Sequence, residues 1–458
     1  MANRDKGQAI FQELGDFVRE EMQRLTVPGV AVGVIYDGRD FLAGFGVTHI
    51  DHPLAVDADT LFQIGSTTKT VTATLAMVLA GQGRLDLDTP VRAYLPKLKL
   101  SDADASARVT TRHLLTHTGG WAGDYFEDTG TGDDALAKYV ARMARLPQLT
   151  PLGEVYSYNN AAFSLAGRVL EVIAGKTYEA AATESVLRPL GMTRSLFFPA
   201  EVMLHRFAAG HAVAEGKVKV ARPWPIPRAN NPAGGVASSA RDQLRYARFH
   251  INEGVSGDAV PVLPAAEIAE MQARVCDGPL GRQQGLAWML RDLHGARLVL
   301  HGGSTNGQNS AFLMVPAAGF AMTVLTNSST GGHLHTNVVK WALKRYLALD
   351  DADPAAIAAP PAQMATFAGR YEGFMQDLEI AADDEGLSMT HHPRESVARL
   401  SEDAPRTVTY RIAPSGPDRY VGTSGLGEGS EGEMLRDGAG DVAWLRFGGR
   451  LYRRLPDS

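Results

Sequence analysis

The sequence predicts an α+β protein: an antiparallel sheet flanked by helices and split by a helical subdomain, with a small β-barrel domain at the C-terminal end. Three observations carry this expectation. Apolar residues at helical spacing near the N-terminus lead straight into a two-strand hairpin, and strand-like runs return only after a loop-rich, partly helical middle. An Ala/Pro/Asp-rich segment then separates this body from short β segments punctuated by Gly, Pro and Asp.

Ile10, Leu14, Phe17, Val18, Met22 and Leu25 fall on one helical face, and Pro28-Gly29 ends that helix. Val30 to Tyr36 and Phe41 to Val47 read as strands joined through Asp37-Gly38, a hairpin dipeptide. From about Leu85 to Ala240 the chain is loop-rich, with a helix from Ala161 to Ala174 that carries Phe163, Leu165, Val169, Leu170 and Ile173. The sheet resumes with Arg297 to His301, Ser310 to Pro316 and Phe320 to Thr326, and a helix from about Leu334 to Leu347 covers one face. Asp350 to Pro361 reads as a semi-rigid linker. Beyond it, Leu378–Ile380, Gly386–Thr390, Thr407–Ile412 and Val442–Phe447 are spaced as a small β-barrel or sandwich. The expected division is a body at 1–349, a linker at 350–363 and a β domain at 364–458.

Composition narrows the function classes. The chain is 45% hydrophobic and 21% charged with a formal charge of −6, and it has no Lys/Arg block, so nucleic acid is not an expected partner. Cys276 stands alone, which rules out an intrachain disulfide or a cysteine metal cluster and leaves a structural thiol as the expectation. The N-terminus shows no secretory h-region, and no run of 18 apolar residues occurs, so no membrane association is expected and the cytoplasm is the expected compartment.

Three short motifs point to chemistry. Ser66-Thr67-Thr68-Lys69 stands between the apolar run Leu61–Gly65 and the alanine-rich run Val71–Ala80, where a helix start is expected. Residues three apart share a helix face, so the Lys69 amine can reach the Ser66 hydroxyl, a weak nucleophile that needs an adjacent base. Lysine serves as that base only when desolvated or placed near another cation. Tyr158-Asn159-Asn160 supplies a phenol able to relay protons and an amide able to donate and accept. His301-Gly302-Gly303 follows a strand-like run; the histidine can titrate near neutrality and act as a donor, which makes His301 a catalytic candidate, and the glycines let backbone approach a ligand closely. Singly, each motif also fits a plain structural role: an N-cap with a solvated lysine, helix-entry residues, and a strand end turning into a loop. Gly427–Gly432 fits G-x-G-x-x-G without the strand-then-helix context of a nucleotide site, and His113 and His117 lack the glutamate of H-E-x-x-H and read as core or loop histidines. No G-x-S-x-G elbow occurs.

In combination and in this order, the three motifs resemble those of the serine β-lactamase and penicillin-binding-protein superfamily. The resemblance is to the branch of class C β-lactamases, DD-peptidases, D-aminopeptidases and family VIII esterases. Leu114–Gly120 and Ala233–Asp242 add to it, and it spans roughly residues 10 to 348. It implies a β-lactamase/transpeptidase-like body in which Ser66 is acylated, Lys69 and Tyr158 share proton transfer, and Asn160 orients lysine and substrate. The backbone N–H groups of Ser66 and Ser304, reached through Gly303, would form the oxyanion hole, worth about 3 kcal/mol per donor. His301 departs from the usual Lys-Thr-Gly of β-lactamases and removes a permanent cation, which turns the expectation from β-lactams toward esters and D-configured amides. Asn159 stands where a small residue is common. The C-terminal domain resembles the lipocalin-like appendages of some relatives, with three roles open: covering the cleft, self-association into a homo-oligomer, or neither.

The expected function is therefore a serine hydrolase acting on a small-molecule ester or an amide or peptide with a D-residue, with no cofactor and no metal. Two alternatives stay open: acyl transfer to an amine, as in peptide-cyclising thioesterases of penicillin-binding-protein type, and a non-catalytic sensor with the same fold. Trp121, Asp124, Tyr125 and Phe126, with Arg222 to Arg228 and its Trp224, are candidate pocket walls or ordinary surface.

Overall fold

Alternation along the strand Gly29–Tyr36 shows how the body is built. Val30, Val32 and Val34 face a core shared with the helices Ala2–Leu25 and Gly331–Leu347, while Ala31 and Ile35 face a second, larger core on the opposite side of the sheet. Burial of each such valine removes apolar surface worth about 1.5–3 kcal/mol. The computed structural model describes residues 2–394 and 407–456.

The central sheet is antiparallel with eight strands. Their spatial order is Arg39–Gly46, Gly29–Tyr36, Phe320–Thr326, Gln308–Val315, Ala296–Thr305, Met289–Leu293, Gln283–Gln284 and Cys276–Asp277. The first two strands of the chain thus join the last strands of the body, as the split in the sequence requires. One strand runs further than the sequence suggests. Ala296–Thr305 continues past His301 to pair Gly303 with Ser310 and Ser304 with Asn309, so the His-Gly-Gly segment is part of the sheet.

On the larger-core side, the helix Thr68–Gly81 is buried around nearly its whole circumference. Its threonines remain satisfied: Thr72 donates to the carbonyl of Pro232 and meets Tyr178 Oη, and Thr74 meets Tyr246 Oη. The helix Asn160–Ala174 begins at Asn159, whose side chain accepts from Ala162 N–H, and ends at Gly175 in the left-handed conformation. Ala240–Ile251 is capped by Ser239 and lays Leu244 over Gly33 of the sheet.

After the helix Gly331–Leu347 the chain runs without regular structure to Pro360, with Asp351 held by Arg291, and the short helix Pro361–Phe367 follows. A closed barrel of eight antiparallel strands comes next. Its strands are Gly369–Glu372, Gln376–Asp383, Gly386–Pro393, Val408–Gly416, Arg419–Gly422, Glu431–Arg436, Val442–Phe447 and Arg450–Arg454, each paired with its sequence neighbour, and Tyr371 pairs with Arg454 to close the ring. Tyr371, Leu378, Ile380, Met389, Tyr420 and Leu445 fill the interior, the arrangement expected of a barrel this size. Gly427, from the glycine-rich motif, lies in a short 3₁₀ turn of a barrel loop. Among the described residues, no helix is long and apolar enough to cross a membrane.

Candidate active site

Ser66 lies in a 3₁₀ turn, Gly65–Thr67, that runs directly into the helix Thr68–Gly81. Lys69, in the first turn of that helix, is fully buried, and its Nζ lies 3.0 Å from Ser66 Oγ, 2.7 Å from Asn160 Oδ1 and 2.6 Å from the carbonyl of Ala233. The valences match: a neutral amine has two N–H groups for the two carbonyl oxygens and one lone pair to accept the Ser66 proton. Burial holds the Lys69 pKa well below its usual value; the charge of Arg450 pushes the same way, and Asp124 opposes it. The desolvation that the sequence requires of this lysine is present.

Tyr158 and Asn160 reach the same point from the other side. Lys69 Nζ sits 5.0 Å from the centre of the Tyr158 ring. Burial raises the Tyr158 pKa to about 12, with Arg450 and a hydrogen bond to Ser66 opposing, so it rests as a phenol with a proton to give. Asn160 accepts from Lys69 and donates through Nδ2 to Asp124 Oδ1 (2.7 Å). Asn159, unexplained in sequence, is the cap of this helix and also donates to the carbonyl of Trp121 (2.8 Å). His117 is buried beside it with φ +61°, accepts from Asn159 N–H through Nδ1 (2.9 Å) and stacks on Tyr158 at 4.4 Å between ring centres. Burial keeps His117 well below its usual pKa, and so a neutral ring seats the tyrosine.

The strand Ala296–Thr305 forms the facing wall. A Cβ on Gly303 would lie 1.9 Å from the carbonyl of Ile64 and 2.7 Å from Ser66 N, and one on Gly65, at φ +49°, would lie 2.7 Å from Ser304 N. Glycine at both places lets the backbones of Ser304 and Ser66 come together. His301 is buried and its pKa is pushed down to about 3 by desolvation and by Lys69, so it does not titrate near neutrality as its position in the sequence suggests. Its Nδ1 donates to the carbonyl of Gly302 (2.6 Å), which leaves Nε2 as an acceptor without a partner among the described residues.

The barrel completes the site. Its last hairpin turns through Gly448 and Gly449, both with positive φ, and Tyr158 N–H donates to the carbonyl of Gly449 (2.8 Å). Arg450 follows, donates to both carboxylate oxygens of Asp124 (3.0 and 3.2 Å) and lies 4.5 Å from the centre of the Tyr158 ring. Arg446 donates to the carbonyl of Tyr156 and pairs with Glu433 in a buried contact. A cleft of about 540 Å³ opens between body and barrel, lined by Ser66, Tyr158, Asn160 and His301 on one side and Arg446 and Gly448–Arg450 on the other.

His117 and Arg450, which lie against Tyr158, are residues that sequence reasoning did not place in the site. Asp124 was a candidate wall and is instead a hydrogen-bond partner of Asn160, while Phe126 and Ile226 do line the cleft. Trp121 is core, and Trp224 packs against Phe207. The Gly448-Gly449 pair was readable as a hairpin turn, but nothing local says where it points.

A family profile described as Beta-lactamase matches residues 14–343. Penicillin-binding protein 4 of Amycolatopsis lactamdurans is 35% identical over 376 residues, covering 80% of this chain and 97% of its own length. The crystal structure of SurE is 27% identical with a TM-score of 0.77 and covers 98% of this chain and 100% of that one. For SurE with D-Leu the values are 25%, 0.74, 97% and 99%. A class C beta-lactamase at 22% identity and a TM-score of 0.64 shares the fold over 75% of this chain and 98% of its own. Profile, relative and fold agree with the motif order and the clustered side chains, and the chain belongs to the Beta-lactamase family, within the superfamily of serine β-lactamases and penicillin-binding proteins.

Proposed function

We propose that the protein is a serine hydrolase that forms an acyl-enzyme on Ser66 and acts on small carboxylic esters or on amides with a D-configured residue. The observation that carries this is the buried Lys69 amine, 3.0 Å from Ser66 Oγ, with its other hydrogen-bonding capacity taken by two carbonyl oxygens. In the first half-reaction Ser66 Oγ attacks the carbonyl carbon and gives its proton to Lys69, while the N–H groups of Ser66 and Ser304 receive the developing oxyanion. The tetrahedral adduct then expels the alcohol or amine, which takes a proton from the Tyr158 phenol, recharged in turn from Lys69. Water attacks the ester of Ser66 by the same route in reverse and releases the acid. Asn160 orients lysine and substrate. Support for a D-residue comes from the full-length likeness to SurE, whose crystal structure with D-Leu is known.

A second reading, transfer of the acyl group to an amine, is favoured by one observation. The cleft of about 540 Å³ runs from Ser66 to Arg446 and Arg450 and leaves room for an amine beside the acyl group. Product mass with an amine supplied beside an activated ester separates the two acceptors.

The direct test is mass spectrometry after incubation with a fluorophosphonate, together with turnover of short-chain p-nitrophenyl esters and D-alanyl anilides. An adduct on Ser66 and loss of both activities in S66A is the expected result. Wild-type turnover in S66A would overturn the assignment.

A further inference from the structure

Arg450 does not touch Ser66, yet a line of contacts joins it to the amine that faces Ser66. Its guanidinium donates to Asp124 at 3.0 and 3.2 Å, Asp124 Oδ1 accepts from Asn160 Nδ2 at 2.7 Å, and Asn160 Oδ1 accepts from Lys69 Nζ at 2.7 Å. Each link has one sense only. An ionised carboxylate can only accept, so Asn160 must turn its NH₂ toward Asp124 and its oxygen toward Lys69. With that oxygen and the Ala233 carbonyl occupied, the remaining position on Nζ is directed at Ser66 Oγ. Without Asp124, nothing in this line stops the amide from rotating its NH₂ against the lysine. Without Arg450, a mostly buried carboxylate stands uncompensated behind Asn160 and favours the ammonium form of Lys69.

We propose that Arg450, delivered by the barrel, is a positioning residue for the general base: it holds Asp124 so that Asn160 presents its oxygen to Lys69, and it offsets the carboxylate's field at that amine. The barrel thereby sets both the aim and the charge of a base seated in the other half of the molecule. The inference rests on the acyl-enzyme reading of Ser66. It also accounts for a cation in the cleft despite the histidine at position 301, because Arg450 lies over Tyr158 where it acts on phenol and lysine together.

The groups facing Lys69 are few. Tyr158 lies before the helix Asn160–Ala174, His301 comes from the strand Ala296–Thr305, and His117 and Asp124 come from the segment preceding Tyr125; Arg450 comes from the barrel. Burial holds His117 well below its usual pKa and His301 down to about 3, and Tyr158 keeps its proton to about pH 12. The acidic limb of the rate profile therefore reports Lys69, under the field of the Arg450–Asp124 pair.

The test is kcat/KM for p-nitrophenyl butyrate between about pH 5 and 10, for wild type, R450M, D124N, the double variant R450M/D124N and R450K, with circular dichroism to verify folding. In R450M the limb is expected to move up by about one unit or more, and in D124N to move down, because the surviving charge acts alone. The double variant falls between them, and R450K, which keeps the charge, stays near wild type with a lower rate. Should R450M not fold, the downward shift of D124N against the unmoved limb of R450K decides. Lower rates with the limb in place in both single variants would overturn the inference while leaving fluorophosphonate labelling of wild-type Ser66 intact. Wild-type protein that neither labels nor turns over would overturn the acyl-enzyme reading and this inference with it.

Discussion

A neutral imidazole at position 301 changes what the cleft can hold. The family pattern places a lysine there, and its absence argued for a site poor in positive charge; the side chains instead show that charge arriving as Arg450, from a distant part of the chain. His250 offers a cleaner case of a buried imidazole. Tyr246, Phe249 and Trp288 surround it, neither ring nitrogen has a partner among the described residues, and desolvation drives its pKa down to about 3. Between pH 3 and 6.5 the unfolded chain therefore binds a proton at this residue that the native state refuses, and stability falls as pH drops through that window. H250F, which removes both nitrogens at similar size, is expected to be at least as stable as wild type at pH 7 and to gain on it by up to about 2 kcal/mol at pH 5. Urea unfolding at the two pH values measures this, and an equal difference at both would refute it. Ser66, Lys69, Tyr158 and Asn160 were legible because each motif is short and local. His117 was set aside as a core or loop histidine; it is core, and its stacking on Tyr158 is a long-range contact that no local pattern announces.

At the level of elements, the close approach of the strand Ala296–Thr305 to the turn Gly65–Thr67 sets the geometry of the site. A methyl group at Gly303 would collide with backbone atoms of Ile64 and Ser66, which cannot rotate aside. G303A is therefore expected to fold and to lose about 100-fold or more in kcat/KM, as misplacements near 1 Å do. An unimpaired G303A would show that strand and turn have slack. The hairpin at Asp37-Gly38 and the alternation of the first strand were readable because period two and turn chemistry are local signals. The extension of the strand past His301 was not, since a Gly-Gly pair reads as a break unless one knows that another backbone lies against it. The strands Cys276–Asp277 and Gln283–Gln284 are too short to show any period.

For the whole molecule, the decisive fact is that body and barrel share one cleft. Glu433 accepts from Arg446 and from Leu280 N–H of the body, and Arg446 donates to the body's Tyr156. E433A would leave Arg446 buried without its counter-charge, a loss of about 3–5 kcal/mol. Calorimetry is expected to show the barrel of E433A melting apart from the body; a single unshifted transition would contradict this. Composition and turn spacing announced the barrel, but its docking depends on surfaces hundreds of residues apart, beyond the reach of any sequence window.

Arg450 follows its partner Asp124 by 326 positions. During synthesis Ser66, Lys69 and Tyr158 are all laid down while the guanidinium is still unmade, and barrel closure by the Tyr371–Arg454 pairing comes later still. On the reading proposed above, the centre around Ser66 can be assembled before Arg450 exists, and its base takes its final charge balance only once the last hairpin is in place.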